Sequence, residues 1–276
     1  ENFYKTSCWK EISNTHYEGN ITDSGDRVKI RRQPVLGVSS YSKGQTLTFN
    51  AVDITSTELV IDHGKYYAFI TDDVTEKQMD IPYDSAIIDA VTQAMRVAID
   101  AHVLGSIFAL VDANNTGVAA GASSGFFNVG SAIAPITFNK NNAIDMVTNA
   151  RGVLTEQNIP DNSEWFLIIP PWAEAEFLKS ELRAAFFSNS TDTLRNASIG
   201  QLSRMKIYVS QNLPVTGNVY TCMFGSKIAL TFATQFVKSE QMRSQTAFGN
   251  LIRGVNVYGF NVIQPVGLGA MYIKPS

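Results

Sequence analysis

The feature that most constrains this chain is the alternating stretch between residues 238 and 265. From residue 251 to residue 262 apolar side chains recur mostly at every second position, and Gly254 and Gly259 interrupt them. This spacing is typical of half-buried β-strands, and the glycines predict two strands with a bend or turn between them. The stretch also contains charged residues: Glu240, Arg243 and Arg253. Charges on strands are unusual for a small-ligand site and favour a sheet whose open face pairs with another molecule.

The segment from residue 19 to residue 74 is also predicted to be β. In Arg27–Arg31 the residue types alternate strictly, so Val28 and Ile30 share one face. The other face is basic and consists of Arg27, Lys29 and Arg31. Further short alternations lie at 47–49, 59–61 and 65–70, with a turn at 62–64 between the last two. These strands are too few and too polar for an independent sandwich, which favours a hairpin that projects from a body and completes its burial on a neighbour.

Two segments of the N-terminal half each have two interpretations. The basic face of residues 27–31 has no interleaved aromatic platform for nucleic acid, so a solvated or subunit-contacting face is favoured over phosphate contact. Residues 1–18 mix aromatic and polar side chains without a sustained period. They form either an arm that lies across another part or an ordinary N-terminal strand of the same domain.

A long helix is predicted from about residue 84. Asp84 or Ser85 is a suitable N-cap, and no proline follows before residue 135. Side chains at helical spacing form a stripe with an alanine-rich flank: Ile88, Val91, Met95, Ile99 and His102. Continued to about residue 111, the helix would be roughly 40 Å long. We therefore expect a spine that sheets and neighbouring loops approach closely.

The central part of the chain predicts an α/β layer. Asn142 is placed to cap a second helix that ends before Pro160, and Pro171 suits the first position of a third helix. Between these helices residues 165–169 are continuously apolar, as in a strand covered on both faces. A surface loop is expected at 114–134, and further strands at 205–209, 219–224 and 270–273.

Composition and motifs argue against several classes of function. The formal net charge is −3, so nothing global favours nucleic-acid binding. No apolar run reaches the roughly 18 residues that a membrane span requires. No nucleophile elbow or convergent pair of acids is present. We therefore predict no catalytic and no cofactor-binding residue, and no membrane partner.

Metal binding is also not expected. The two cysteines and three histidines fall in no metal-binding spacing. Residues 112–117 match the first half of a calcium loop, but Ser123 stands where a bidentate glutamate is needed. His63 is interpreted as a turn residue and His102 as a satisfied core or interface histidine.

A family resemblance adds to this interpretation. The residues that carry it occur in a fixed order: Glu240, Arg243, Phe248-Gly249-Asn250, Arg253-Gly254, Tyr258-Gly259 and Pro265. This order resembles the C-terminal part of tailed-bacteriophage major capsid proteins of the Hong Kong 97 fold, in which Asn250 would usually be Asp. Residues 19–73 also look like that family's extended loop, and the resemblance runs from about residue 17 to Pro265.

The resemblance implies an α+β Hong Kong 97-like capsid fold with an axial domain, a peripheral domain with a long spine helix, an extended β-hairpin loop and an N-terminal arm. The arm is expected at 1–18 and the hairpin loop with its base at 19–81. The peripheral domain is expected at 82–140, with its return strands at 233–262. The axial domain is expected at 141–232, and the chain returns to it at 263–276.

The resemblance further implies a structural, non-enzymatic protein that self-assembles as homo-pentamers and homo-hexamers into an icosahedral shell. Its partners would be packaged double-stranded DNA bound without sequence specificity, a scaffold, a portal and decoration proteins. Its location would be the virion capsid, after assembly in the host cytoplasm. The candidates for inter-subunit contact are Arg27, Lys29, Arg31, Glu240, Arg243 and Arg253. We expect the last three to form ionic contacts within or between subunits.

Two other functions stay open at this point. The same fold serves in encapsulin nanocompartments, which enclose an enzyme instead of a genome, and a co-purifying cargo protein without DNA would indicate one. The second is a soluble hydrolase or sugar-binding protein on an α/β scaffold. A monomer with a deep pocket and convergent acids would indicate it, and the sequence supplies no such cluster.

Overall fold

A computed structural model gives the architecture, and it describes residues 7–16, 27–31, 38–46, 49, 56–73, 77, 83–160, 164–180, 201–245 and 248–276. These residues form a large mixed sheet, a small antiparallel sheet, a two-stranded ribbon and a long helix with shorter ones. Leu47, part of the alternation predicted at 47–49, falls outside the described residues. Leu182 and Ala185, which at helical spacing would extend the third helix, also fall outside them.

The larger sheet holds the main core of the described chain. Its strands are β4 (Ile136–Phe138), β5 (Trp165–Ile169), β6 (Gln201–Leu202), β7 (Met205–Val209), β8 (Val215–Thr216), β9 (Val219–Ser226) and β12 (Leu268–Pro275). Their order is β4-β12-β9-β5-β7-β6, and β8 pairs with β9. Every residue of β5 is buried, which confirms the predicted strand with two covered faces.

Two helices pack with this sheet, α3 (Ala143–Glu156) and α4 (Pro171–Lys179). Pro171 begins α4, as predicted from its fixed φ. Asn142 occupies the N-cap position of α3, but the prediction that it caps the helix is wrong. Its Oδ1 accepts from the N–H of Asn139 at 2.9 Å and its Nδ2 donates to the carbonyl of Thr137 at 2.8 Å. The side chain therefore closes the preceding turn instead.

The smaller sheet is antiparallel, in the order β10-β11-β3, with strands β3 (His63–Asp72), β10 (Leu230–Arg243) and β11 (Gly249–Val262). Because β11 is one continuous strand, the predicted bend at Gly254 and Gly259 is wrong. A Cβ on Gly254 would meet the ring of Tyr67, and one on Gly259 would lie 2.9 Å from the carbonyl carbon of Val60. These glycines permit the close approach of neighbouring chain and do not turn the strand.

A two-stranded ribbon lies within residues 19–81, the segment predicted to be the hairpin loop with its base. Its strands, β1 (Arg27–Arg31) and β2 (Ser56–Val60), pair antiparallel. Ile30 and Leu59 are buried in a small core with Ala233 and Ile263 of the same chain. The described base therefore completes its burial internally and not on a neighbour. The predicted turn at residues 62–64 is also wrong as a hairpin, because β2 pairs with β1 whereas β3 pairs with β11.

The long helix α2 (Tyr83–Ile107), here called the spine helix, has 25 residues and is about 37 Å long. It ends before the predicted residue 111, and a 3-10 turn follows at Phe108–Leu110. Its fully buried apolar side chains lie in its second half, as Ile99, Val103, Leu104 and Ile107. Of the predicted stripe, Ile99 is buried and Ile88 is 40 % exposed, since the main core reaches only the second half.

The N-terminal segment, residues 7–16, contains a short helix, α1 (Trp9–Ile12), where one interpretation expected a strand. Trp9 and Ile12 are buried, and the Trp9 ring lies 4.1 Å from that of Phe232. Asn14 forms a β-bridge with Thr231 near the start of β10. The segment therefore packs against β10 within its own chain.

Candidate assembly surfaces

One face of the smaller sheet is open. Residues that pair directly across antiparallel strands share a face. The rows on this face are Tyr66 with Val255 and Lys238, Ala68 with Arg253 and Glu240, and Ile70 with Leu251 and Met242. We call this surface the open face. Tyr66 is 81 %, Ile70 50 % and Met242 46 % exposed, so the described chain leaves large apolar side chains uncovered here.

A row of charges crosses the middle of the open face. Arg253 donates from Nε and Nη2 to Oε2 of Glu240 at 3.0 and 2.7 Å, and Lys238 pairs with Oε1. Hydrogen bonds from Lys238 and then Arg253 hold the pKa of Glu240 below its usual range. The face therefore places apolar side chains on both sides of a charged centre, and charges so placed fix register in an interface.

Arg243 lies apart from this row, opposite Asn250 at the far end of the same two strands. Its Nη1 donates to Oδ1 of Asp73 at 2.7 Å and to Oδ1 of Asn250 at 3.3 Å. The hydrogen bond from Arg243 holds the pKa of Asp73 below its usual range. Asp73 thus brings a carboxylate beside Asn250, the position where the resembled family usually has Asp. The structure brings Glu240 and Arg253 together but places Arg243 in a separate ion pair.

The ribbon presents a basic face. Arg27, Lys29 and Arg31 are all exposed on one side of β1, as the alternation predicted. Glu58 on β2 lies 3.6 Å from Arg27 and 3.4 Å from Lys29. Arg31 lies opposite Ser56, and within the described ranges no carboxylate is within salt-bridge distance of it. Positive charge therefore predominates on this face.

The connection between β1 and β2 carries a second exposed apolar surface. We call its described residues, 38–46 and 49, the apolar loop. Val38 is 97 %, Tyr41 69 % and Phe49 90 % exposed. Because several large apolar side chains of one connection are exposed, this loop is a second candidate surface for association.

A buried carboxylate joins three parts of the chain. Asp100 of the spine helix is fully buried and accepts from the backbone N–H groups of Cys8 and Trp9, each at 2.9 Å. It also accepts from Nδ2 of Asn212 at 2.7 Å and from Oγ of Ser210 at 3.4 Å. Burial, and then the charge of Asp100, raises the pKa of the Cys8 thiol. Asp100 was not predicted from the sequence, although a lone carboxylate beside an apolar helical stripe was the available signal.

Two histidines meet where the ribbon leads into β3. His63 is the first residue of β3, not part of a hairpin turn, and its ring lies edge-on to that of His102, with centroids 4.7 Å apart. Nδ1 of His102 lies 2.8 Å from the Tyr258 hydroxyl, which agrees with its interpretation as a satisfied histidine. Burial, and then the charges of His63 and Lys65, lowers the pKa of His102, while burial raises that of Tyr258 to about 12.

The described residues hold no group of three or more His, Cys, Asp or Glu side chains that could bind a metal ion. In the calcium-like segment, Asp112 accepts from the N–H of Asn114 at 2.9 Å and caps a short 3-10 helix. Asp112 therefore has a local structural role. Of the helices in the described ranges, none is long and apolar enough to cross a membrane.

Comparison with known sequences points to one family. The model of a family described as "Phage capsid protein" matches residues 57–270, more than half of the chain. A search of curated protein sequences finds no significant match. The family match spans the whole spine helix, the open face, the whole smaller sheet and all of the larger sheet except the end of β12.

Solved structures share the architecture. A structure titled "Mycobacterium phage Che8" is 24 % identical with a TM-score of 0.78, over 98 % of this chain and 92 % of its own. The "Capsid structure of the Cyanophage P-SCSP1u" is 17 % identical with a TM-score of 0.69, over 100 % and 90 %. The "Asymmetric unit of bacteriophage PhiM1 mature capsid" is 12 % identical with a TM-score of 0.59, over 100 % and 91 %. These likenesses confirm the predicted α+β Hong Kong 97-like fold.

Proposed function

This chain belongs to the phage capsid protein family, and we propose that it self-assembles into the pentamers and hexamers of an icosahedral shell that encloses double-stranded DNA. The family and the fold make it a structural major capsid protein and not an enzyme. Its location is the virion capsid, and assembly in the host cytoplasm is part of the proposal.

The observation that supports self-assembly most strongly is that two apolar surfaces are exposed in the single chain. The open face exposes Tyr66, Ile70 and Met242, and the apolar loop exposes Val38, Tyr41 and Phe49. Burying such area contributes about 25 cal/mol per Å². In the proposal, the apolar loop of one subunit packs onto the open face of the next. A contact between two different patches closes into a ring when the rotation allows it, and pentamers and hexamers are such rings.

The charged candidates take their roles from this contact. Glu240 and Arg253 lie at the centre of the open face, where an incoming loop in the wrong register would bury an ion pair without compensation. Additional ionic contacts between subunits come from two further sites. One is the basic face of Arg27, Lys29 and Arg31, and the other is Arg243 with its partner Asp73. Charges on strands also suppress unwanted edge-to-edge pairing.

The division into domains is part of the same proposal. Residues 141–232 and 263–276, which hold every strand of the larger sheet except β4, form the axial domain around the symmetry axis of a capsomer. Residues 82–140 and 233–262, which hold the spine helix, β11 and most of β10, form the peripheral domain. Residues 1–18 supply the arm, and residues 19–81 supply the hairpin loop with its base, including β3. The support is that two sheets with different orders lie in these segments and share the fold of structures whose titles name capsids.

Packaged DNA, contacted without sequence specificity, is the proposed content of the shell. A scaffold, a portal and decoration proteins are the proposed partners, on the strength of family membership. An encapsulin-type nanocompartment would have a similar shell with a protein cargo. The content of purified particles therefore separates the two.

Negative-stain electron microscopy, with the ratio of absorbance at 260 and 280 nm, tests the assembly proposal. We expect closed icosahedral shells, or rings of five and six subunits, with nucleic acid in particles purified from infected cells. Shells with a co-purifying protein and no DNA would indicate a nanocompartment. A protein that stays monomeric at high concentration with its scaffold present would contradict self-assembly.

Charge insertion tests the proposed contact. We expect Tyr66→Asp and Phe49→Asp to reduce shell yield at least about tenfold, the equivalent of about 1.4 kcal/mol, with an unchanged fold by circular dichroism. Ile133→Asp is the matched control, because Ile133 is 98 % exposed on a different loop. Equal yields for all three variants would contradict this contact while leaving shell formation itself intact.

A further inference from the structure

We propose that Asp100 latches the N-terminal segment as a wedge between the two sheets, and that this wedge fixes the angle between them. The latch itself is a property of the single chain. Its consequence is that all subunits have the same angle between their sheets and assemble into a shell of uniform curvature, and this part rests on the proposed shell function. The proposal follows from what the segment touches, from how Asp100 is satisfied, and from an irregularity in β10.

The N-terminal segment is attached to the start of β10 by a short stretch of sheet-like pairing. The N–H of Asn14 donates to the carbonyl of Leu230 at 2.8 Å, and the carbonyl of Asn14 accepts from the N–H of Phe232 at 3.1 Å. Trp9 adds an aromatic contact with Phe232. The segment is therefore held at the point where β10 leaves the main core for the smaller sheet.

Asp100 connects the same segment to the larger sheet. Ser210 and Asn212, which directly follow β7, donate to one of its carboxylate oxygens, and Cys8 and Trp9 donate to the other. The carboxylate thus holds the larger sheet and the wedge on its two sides. It belongs to the spine helix, so three elements meet at a single buried group.

The carboxylate and the wedge depend on each other. The first N–H groups of a helix have no acceptor within it, and the Cys8 side chain does not cap α1. A buried carboxylate also needs donors to offset its lost hydration, and no described cation forms a salt bridge with Asp100. If the segment left, the N–H groups of Cys8 and Trp9 would lose their acceptor and Asp100 would keep only the donors on Ser210 and Asn212. The two losses come together, so the segment is either fully bound or released.

The wedge lies beside a weak point of β10. The pairing of β10 with β11 shifts register between Thr234 and Phe236, just after the residues that Asn14 contacts. Such an irregularity bends a strand and increases its twist. When the wedge is bound to the residues of β10 that precede this irregularity, it holds the bend at one angle. Without the wedge, the smaller sheet and its open face are free to swing relative to the larger sheet.

Hydrogen exchange of the full chain, followed by mass spectrometry, tests the latch. We expect Asp100→Asn, which keeps the shape but loses the charge and one acceptor, to increase exchange in residues 8–14 at least about tenfold, equivalent to about 1.4 kcal/mol of opening free energy. Asp89→Asn, an exposed change on the same helix, should have no effect. Val103→Ala is a second control, because it weakens the core without touching a donor.

Shell diameters from electron microscopy test the angle. We expect Asp100→Asn to give several diameters or open sheets, and Val103→Ala to give uniform shells despite a lower thermal midpoint. Unchanged exchange of residues 8–14 in Asp100→Asn would overturn the latch, and released segments in shells of one diameter would overturn the role in curvature.

The hydrogen-exchange experiment still tests the latch if Asp100→Asn does not fold or if the wild-type chain forms no shells. If Asp100→Asn does not fold, Asn212→Ala, which removes one donor, should give a smaller increase in exchange, and no increase would overturn the latch. If the wild-type chain forms no shells, the proposed function fails, while the exchange of residues 8–14 still decides the latch.

Discussion

The larger and the smaller sheet bury their apolar surface in different ways. All of β5 in the larger sheet is buried, whereas positions in β3 of the smaller sheet alternate between half-buried and exposed from His63 to Ile70. Strand β5 is covered on both faces by its own chain, whereas β3 is covered on one face only. The larger sheet therefore reaches its final packing in a single subunit, while the smaller sheet keeps an uncovered face, which we propose that a neighbouring subunit covers.

Truncating one aromatic side chain in each sheet tests this difference in burial most sharply. Phe166→Ala in β5 should lower the free energy of unfolding by about 3 to 5 kcal/mol, because it leaves a cavity in a closed core. Tyr66→Ala on the open face should change it by less than about 0.5 kcal/mol, as expected for an exposed side chain. Urea unfolding of the unassembled chain measures both, and similar losses would erase the distinction.

The covered face of the smaller sheet should tolerate little added volume. Gly254→Ala places a methyl group against the Tyr67 ring, and we expect a loss of about 1 to 3 kcal/mol from overpacking. In a Tyr67→Ala background the same change should cost much less, because the obstacle is gone. A double-mutant cycle by urea unfolding measures this coupling, and additive losses would show that the ring is not the cause.

The joint between the ribbon and the spine helix should be sensitive to acid. The pKa of His102 lies below its ordinary value of 6.5, because of burial and then the charges of His63 and Lys65, with Asp62 acting in the opposite sense. The unfolded chain therefore binds the proton more readily, so the stability present above pH 6.5 is lost as pH falls below it.

We expect the thermal midpoint of the wild type to fall more between about pH 7.5 and about pH 5.5 than that of His102→Gln, because this range brackets the ordinary histidine pKa. Glutamine keeps a polar group near the Tyr258 hydroxyl but does not titrate. Equal changes in the two proteins would show that His102 is not the cause of the acid sensitivity.

The charged row should affect stability least and assembly more. Glu240 is half-buried but its partners Lys238 and Arg253 are exposed, so solvent screens both ion pairs. Glu240→Ala should therefore barely change the thermal midpoint while it lowers shell yield. Glu164→Ala, which removes an exposed partner of Lys206 and Lys227, is a matched control outside both the open face and the basic face. An unchanged shell yield with Glu240→Ala would count against a role for this row.

Local patterns predicted the elements that depend on the residue types of a single segment. The continuous apolar run of β5 is enough to indicate a strand covered on both faces, even though its partners β7 and β9 are distant in sequence. The fixed φ of Pro171 at the start of α4 is a property of that residue alone. The pattern around Gly254 and Gly259 misled, because a glycine needed for close approach looks the same in sequence as one needed for a turn. The contacts that distinguish the two, with Tyr67 and Val60, are distant in sequence.

The candidate surfaces were partly predictable for the same reason. The alternation in β1 predicted the basic face, since the side-chain period of a strand is local. The pairing of Glu240 with Arg253 depends on the register of two strands, which the sequence does not specify. The pairing of Arg243 with Asp73 depends on which other segment of the chain lies beside it. Asp100 was missed because its donors, at residues 8–9 and 210–212, are far away along the chain.

Mixed-variant cross-linking tests most directly the claim that one subunit covers the open face of another. Both native cysteines, Cys8 and Cys222, are buried, so Phe49→Cys and Tyr66→Cys each introduce one accessible thiol. Shells assembled from an equal mixture of the two variants are treated with a short bismaleimide and separated by mass. We predict a cross-linked dimer that requires both variants. Dimers no more abundant in the mixture than in either variant alone would contradict the account.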